Sequence, residues 1–168
     1  ANKAVDEAKE RIRSAFKSSG IPLPKKKITI NLAPAEVPKH ETMFDLGIAV
    51  AIMETAEMIK PLSKETVFIG ELGLKGNIRP TRGLIGKLAF AKEKDIQTVY
   101  VPKSNRKQAE IFKGLDIKPV ADLRELFAHL TELEVIDSIK YRRLNVAPDP
   151  SQTDIKDIVG QSQAKRVL

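Results

Sequence analysis

Few side chains in this chain of 168 residues stand at spacings that do chemistry. Cysteine is absent, which excludes disulfides and thiolate metal sites. His40 and His129 lie far apart, and neither belongs to a ligand-spaced motif. Residues 83–88 read G-L-I-G-K-L and place Lys87 behind two glycines. The spacing is wrong for a phosphate-binding loop and no hydroxyl follows the lysine; G-x-x-x-x-G-K-[ST] occurs nowhere. Ser63 and Ser104 read as a turn residue and a helix cap. The abundant chemistry is positive charge: 29 Lys and Arg against 22 Asp and Glu, a net +7. Lys9, Arg13 and Lys17 recur four apart near the start, followed by Lys25, Lys26 and Lys27. A second basic cluster, Lys140, Arg142, Arg143, Lys165 and Arg166, lies near the end. Clustered cations attract nucleic acid through phosphate contacts and counterion release. Aromatic content of 5% offers no base-stacking platform, so a lysine-rich solvated surface is the competing reading.

The elements that must hold these groups follow from periodicity. Residues 1–19 repeat Val5, Ala8, Ile12 and Ala15/Phe16 at helical spacing, and Gly20 stands where a helix ends. Residues 27–32 alternate, with Ile28, Ile30 and Leu32 on one side, which predicts a half-buried strand. After a proline-containing loop, residues 42–60 are apolar nearly all round, which predicts a helix buried on most sides. Gly47 inside it costs roughly 1 kcal/mol against alanine, so close packing is expected there. An apolar run, 67–74, leads to a Gly76-Asn77 hairpin turn and a short return to Pro80. Gly83 opens a helix with Leu84, Ile85, Leu88 and Ala91 on one side. Thr98 to Val101 is the next strand, stopped by Pro102. Strand, hairpin, helix, strand is a βαβ-type unit and favours an α/β fold. A short helix reaching Phe112, a strand over 116–120 and a helix capped by Asp122 with Glu125 three residues on complete the series. Residues 134–143 are ambiguous, and 145–153 have linker composition.

The central stretch resembles the proteolytic domain of Lon proteases, on Gly70, Glu71, Leu74 and Gly76, then Pro80, Gly83, Leu84, Lys87 and Leu88, then Pro102 and Asn105. The resemblance implies a mixed sheet packed with helices, of the ribosomal S5 domain 2-like type. Residues 154–168 resemble the opening of an AAA+ ATPase module, on Asp157, Ile158, Val159, Gly160, Gln161, Ala164 and Lys165. The tail would lie beside adenine, but the chain stops before any phosphate loop. Residues 10–20, 27–36 and 44–52 resemble the N-terminal domain of magnesium-chelatase-like AAA+ proteins, the competence protein ComM family. The implied division is a Lon-like domain over 1–134, lacking its first strands, a linker over 135–153, and the start of a truncated AAA+ module over 154–168.

Lon-type peptidases use a serine nucleophile with a lysine base. By resemblance Lys87 takes the lysine position, while Gly47 matches a glycine that puts Asp45 where the serine would stand. A carboxylate is not the nucleophile of that mechanism, and it holds a lysine protonated. An Asp45–Lys87 ion pair in a vestigial site is therefore expected, with no catalysis by this chain. The resemblance implies DNA processing or partner binding in an ATP-driven ring, with ATP and Mg bound by the full-length protein rather than by this chain. The partners implied are the AAA+ module of the same polypeptide, other copies, and DNA. The alternatives are a Ser/Lys endopeptidase domain and a stand-alone nucleic-acid-binding module. No apolar run reaches the ~20 residues of a membrane span and no signal peptide is visible, so the cytoplasm is the expected compartment.

Overall fold

Val99, Tyr100 and Val101 alternate across a strand, and that alternation divides the molecule into two apolar layers. A computed structural model describes residues 3–25, 27–30 and 42–143. Its elements are α1 (Lys3–Ser19), α2 (Asp45–Thr55), β1 (Thr66–Phe68), β2 (Glu71–Leu72), β3 (Ile78–Arg79), α3 (Leu84–Glu93), β4 (Thr98–Pro102), α4 (Arg106–Ala109), β5 (Asp116–Val120) and α5 (Leu123–Leu130). Strands β1, β4 and β5 form a parallel sheet in that order. β2 and β3 form a separate antiparallel hairpin. The protein is a mixed α/β fold.

One face of the parallel sheet carries Tyr100 and Val120 against Ile12 and Phe16 of α1, Leu46 and Met53 of α2, and Leu123 and Leu126 of α5. The other carries Val99, Val101 and Ile117 against Leu84 and Leu88 of α3. Burying a side chain of this size contributes about 1.5–3 kcal/mol, so the two layers supply most of the favourable free energy. Asp122 caps α5 by accepting the Glu125 N–H at 2.9 Å, while the Glu125 carboxylate accepts the Ala121 N–H at 2.6 Å. Such a cap is worth about 1 kcal/mol.

Several expectations change. The apolar run 67–74 is broken at Gly70, where the chain leaves the sheet to meet α2: Leu46 N–H donates to the Gly70 carbonyl and Gly70 N–H to that of Met43. A Cβ at Gly70 would lie 2.6 Å from Ile78 Cγ2, so only glycine admits this approach. Gly76 turns the β2–β3 hairpin at φ 83° against Ser19, at the end of α1. The helix expected over 42–60 is a 3-10 turn (Thr42–Phe44) and then α2, which stops at Thr55. Glu57 at φ 57° reverses the chain there, with Met58 N–H donating to Met53. The strand expected over 27–32 does not form across 27–30, which carry no ladder among the described residues; 31 and 32 lie outside them. Ser104 sits in a 3-10 turn, and Asn105 occupies the cap position of α4, which ends at Ala109 rather than reaching Phe112. Residues 135–143 form neither helix nor strand, yet Ile139 N–H donates to Ile117 at 2.7 Å and Ile136 is buried, so this segment lies along β5.

Candidate functional site

The first residue of α2 is a buried carboxylate. Asp45 accepts from Arg11 Nε at 2.7 Å, from Arg11 Nη2 at 3.1 Å and from the Leu72 N–H at 3.4 Å. Its side chain is 2% exposed and that of Arg11 16%. The forked guanidinium fits a carboxylate with two parallel bonds, so α1, α2 and β2 are joined at one point. Burial pushes the Asp45 carboxyl up, and the arginine contact opposes this without cancelling it. The hydrogen bond to Asp45 raises Arg11. Both carboxylate oxygens are thus taken up in binding the protein to itself.

The ion pair expected between Asp45 and Lys87 is replaced by this one. Lys87, on α3, donates from Nζ to the Arg82 carbonyl at 3.0 Å. The position matched to the serine nucleophile and the matched lysine therefore serve different local structures. Arg11 was not singled out in the sequence; its only signal is its place on the charged flank of α1 beside Ile12.

Asn105, from the P-x-x-N run, has a clear role. Its Oδ1 accepts the Thr81 N–H at 2.8 Å, and its Nδ2 donates to the Thr81 carbonyl at 2.9 Å and to Gln108 Oε1 at 2.8 Å. It mimics a strand partner and fixes the turn that starts α3. His129 bridges the Tyr100 hydroxyl at 3.1 Å and the Ile136 N–H at 3.1 Å, and Tyr100 stacks on Phe68. His40 lies outside the described residues. Among the described residues no group of three or more His, Asp or Glu is placed to hold a metal ion, and no helix is long and apolar enough to cross a membrane.

Lys9, Arg13 and Lys17 form one exposed stripe along α1, with Glu10 3.6 Å from Arg13. Lys25 and Lys27 are exposed on the segment that follows; Lys26 lies outside the described residues, as do Ile158, Val159, Gly160 and Gln161. That segment and α2 border a groove of about 990 Å³, whose apolar lining includes Ile28, Ile30, Phe44, Ile48 and Ala51. Among the described residues, the groove side of α2 is less covered than its sequence predicts.

The arrangement of α1, α2 and the hairpin can be set against known proteins. The family model described as subunit ChlI of Mg-chelatase matches residues 1–105. The chain belongs to this family. Competence protein ComM of Haemophilus influenzae is 31% identical over 176 residues, covering 99% of this chain and 33% of its own length. The uncharacterized protein YifB of Escherichia coli is 34% identical over 167 residues, covering 98% and 32%. A Lon protease of Rhizobium meliloti is 29% identical over 134 residues, covering 75% of this chain and 16% of the protease. The chain thus spans about a third of the length of its ComM and YifB relatives. As a ChlI-family chain with Lon similarity, it has the Lon-like character expected from its central motifs.

Proposed function

We propose that this chain is a non-catalytic Lon-like domain that serves an AAA+ motor of the same polypeptide and handles DNA for it. The observation that carries this is Asp45: the position matched to the attacking serine holds an acid bound to Arg11 and to the Leu72 N–H. An acyl-enzyme mechanism needs a hydroxyl or thiol poised beside a base, and a carboxylate clamped by a guanidinium is neither. ATP and Mg belong, in this reading, to the module that begins at the 154–168 segment. The ring-shaped assembly and the cytoplasmic setting follow from the same reading.

The α1 stripe is the phosphate contact, with Lys25, Lys26 and Lys27 extending it. Fluorescence anisotropy with a labelled DNA duplex across a salt series tests this. Replacing Lys9, Arg13 and Lys17 with alanine makes the log–log salt slope shallower by about one per cation. Undetectable or salt-insensitive binding leaves only a protein-binding role. The similarity to a Lon protease favours one rival, a Ser/Lys endopeptidase. Hydrolysis of unfolded casein by this chain, abolished by Lys87→Ala, establishes that rival and ends the non-catalytic reading.

A further inference from the structure

We infer that His129 is a proton-operated latch on residues 135–138: the neutral ring holds Ile136 against α5, and a proton on the ring releases it. The ring faces two backbone groups of opposite kind. Its Nδ1 lies 3.1 Å from the Ile136 nitrogen and 3.2 Å from the Glu134 carbonyl oxygen. The N–H can only donate and the carbonyl can only accept, so Nδ1 serves one or the other. A neutral ring with its proton on Nε2 accepts from Ile136 and donates to the Tyr100 oxygen at 3.1 Å. The opposite tautomer points a proton at the N–H of a residue only 6% exposed, so the first is the one the packing selects. A protonated ring donates from both nitrogens. Nδ1 then bonds Glu134, and the Ile136 N–H meets a donor where its acceptor was.

Of the two partners, Ile136 is the one free to move. Glu134 is fixed by the end of α5, where the chain turns at Glu132 with φ 63° and the N–H groups of Leu133 and Glu134 donate to the Ala128 carbonyl at 2.8 and 3.1 Å. Farther on, Ile139 is tied to Ile117 at 2.7 Å and Arg142 to Glu110 at 2.6 Å. Residues 135–138 bridge these two fixed points and form neither helix nor strand. Their other tie is Lys118, whose Nζ donates to the Ile136 carbonyl at 3.0 Å and lies 3.4 Å from Ser138 Oγ. A lysine on its flexible stem follows a carbonyl that swings.

The surroundings accept the charged ring. His129 stands in the last turn of α5, where the helix carbonyls favour a cation. It is half-buried, so water can deliver the proton. From β4 the titratable neighbour is Tyr100. From β5 come Lys118 and Asp116, 3.8 Å apart. On α5 itself Glu125, one turn back, is bound to the Ala121 N–H. In the chain that follows, Glu132 is paired with Lys60 at 2.7 Å, and the side chains of Glu134 and Asp137 are exposed. Acids thus outnumber the one cation, Lys118, on the elements packed about the ring.

The latch goes beyond DNA handling and stands apart from it, because it needs none of the α1 cations. Residues 135–138 also lie on the route by which the chain runs on to 144–168, so the latch sets how that segment is tethered to the sheet. The test is NMR of the 15N-labelled chain, with ring nitrogen shifts for the tautomer and amide exchange expressed as protection factors, which removes the intrinsic effect of pH. At about pH 8 the ring should carry its proton on Nε2. On passing to about pH 5.5, across the ordinary histidine value near 6.5, protection of Ile136 should fall about tenfold, the effect of one lost hydrogen bond. The fall should share its midpoint with the ring shifts, while protection of Ile139 stays. His129→Asn keeps an acceptor in place of Nδ1 and cannot take the proton, so Ile136 should stay protected at both pH values. That variant retains His40 and Asp45, so a pH-dependent loss that persists in it arises elsewhere and overturns the proposal. A ring with its proton on Nδ1 at pH 8, a ring still neutral at pH 5.5, or unchanged protection of Ile136 once the ring is charged overturns it as well. Should the variant not fold, the two midpoints in the parent decide, and their disagreement ends the proposal.

Discussion

Replacing Arg11 with methionine should destabilise the domain by about 3 kcal/mol at neutral pH. The substitution keeps most of the side-chain volume and leaves Asp45 buried without its cation. Removing one partner of a fully buried pair costs about 3–5 kcal/mol. The lower end applies because the Arg11 side chain retains 16% exposure and the Leu72 N–H still reaches the carboxylate. Against a total stability of about 5–15 kcal/mol, the variant stays folded at 25 °C and its loss is measurable by urea denaturation followed by circular dichroism. The double variant Arg11→Met, Asp45→Asn removes both charges while keeping an acceptor for Leu72. It should return to within about 1 kcal/mol of the parent, since a neutral pair avoids the desolvation penalty. The pH dependence follows from the direction of the Asp45 shift. Burial holds this carboxyl above its ordinary value, so the native state binds the proton more readily than the unfolded chain. Its contribution is fully present below the unfolded pKa, about 3.9, and is lost as pH rises through the folded value. Without Arg11 nothing opposes the burial except the Leu72 N–H and the shift grows, so the penalty at pH 7 should exceed that at pH 4.5. A penalty below about 1 kcal/mol at pH 7, or one equal at both pH values, refutes the account, because it means that water solvates Asp45.

Gly47→Ala should stabilise the domain by about 0.5–1 kcal/mol, read as a rise in urea midpoint, because among the described residues a Cβ there meets only the Phe68 carbonyl oxygen, at 3.7 Å. A loss of stability instead restores the close-packing expectation. Asn105→Ala should cost about 3 kcal/mol, since it strands the N–H and C=O of Thr81, itself 9% exposed. Faster amide exchange at Thr81 should accompany the loss.

Strands β4 and β5 were legible because β-branched runs are closed by Pro102 and flanked by Gly114, and each lies between two apolar layers. The Asp122 cap was legible because its partner sits three residues away. What failed to read out depends on distant chain. Asp45 and Arg11 are 34 residues apart, and nothing in either local sequence distinguishes this pairing from one with Lys87. The alternation of 27–30 is a true strand pattern, but a pattern specifies which side is apolar, not whether a neighbour is present to pair with. α2 was overextended because Ala56, Met58 and Ile59 continue the apolar run, while Glu57 takes a left-handed conformation that side-chain type does not announce. Asn105 was visible as part of a motif, though not as the clamp on Thr81.

The hairpin tip at Gly76 touches both ends of the chain's story. Its carbonyl accepts the Leu123 N–H at 2.8 Å, and it rests on Ser19, whose own carbonyl accepts from Arg124 across 105 residues. Ile12 and Phe16 share their layer with Leu123 and Leu126. During synthesis α1 therefore emerges about a hundred residues ahead of α5, and the part of its apolar side that α5 covers stays open until the helix at 123–130 leaves the ribosome. At about 5–20 residues per second, that interval lasts on the order of 5–20 s, long enough for a chaperone to meet the nascent domain before it can close.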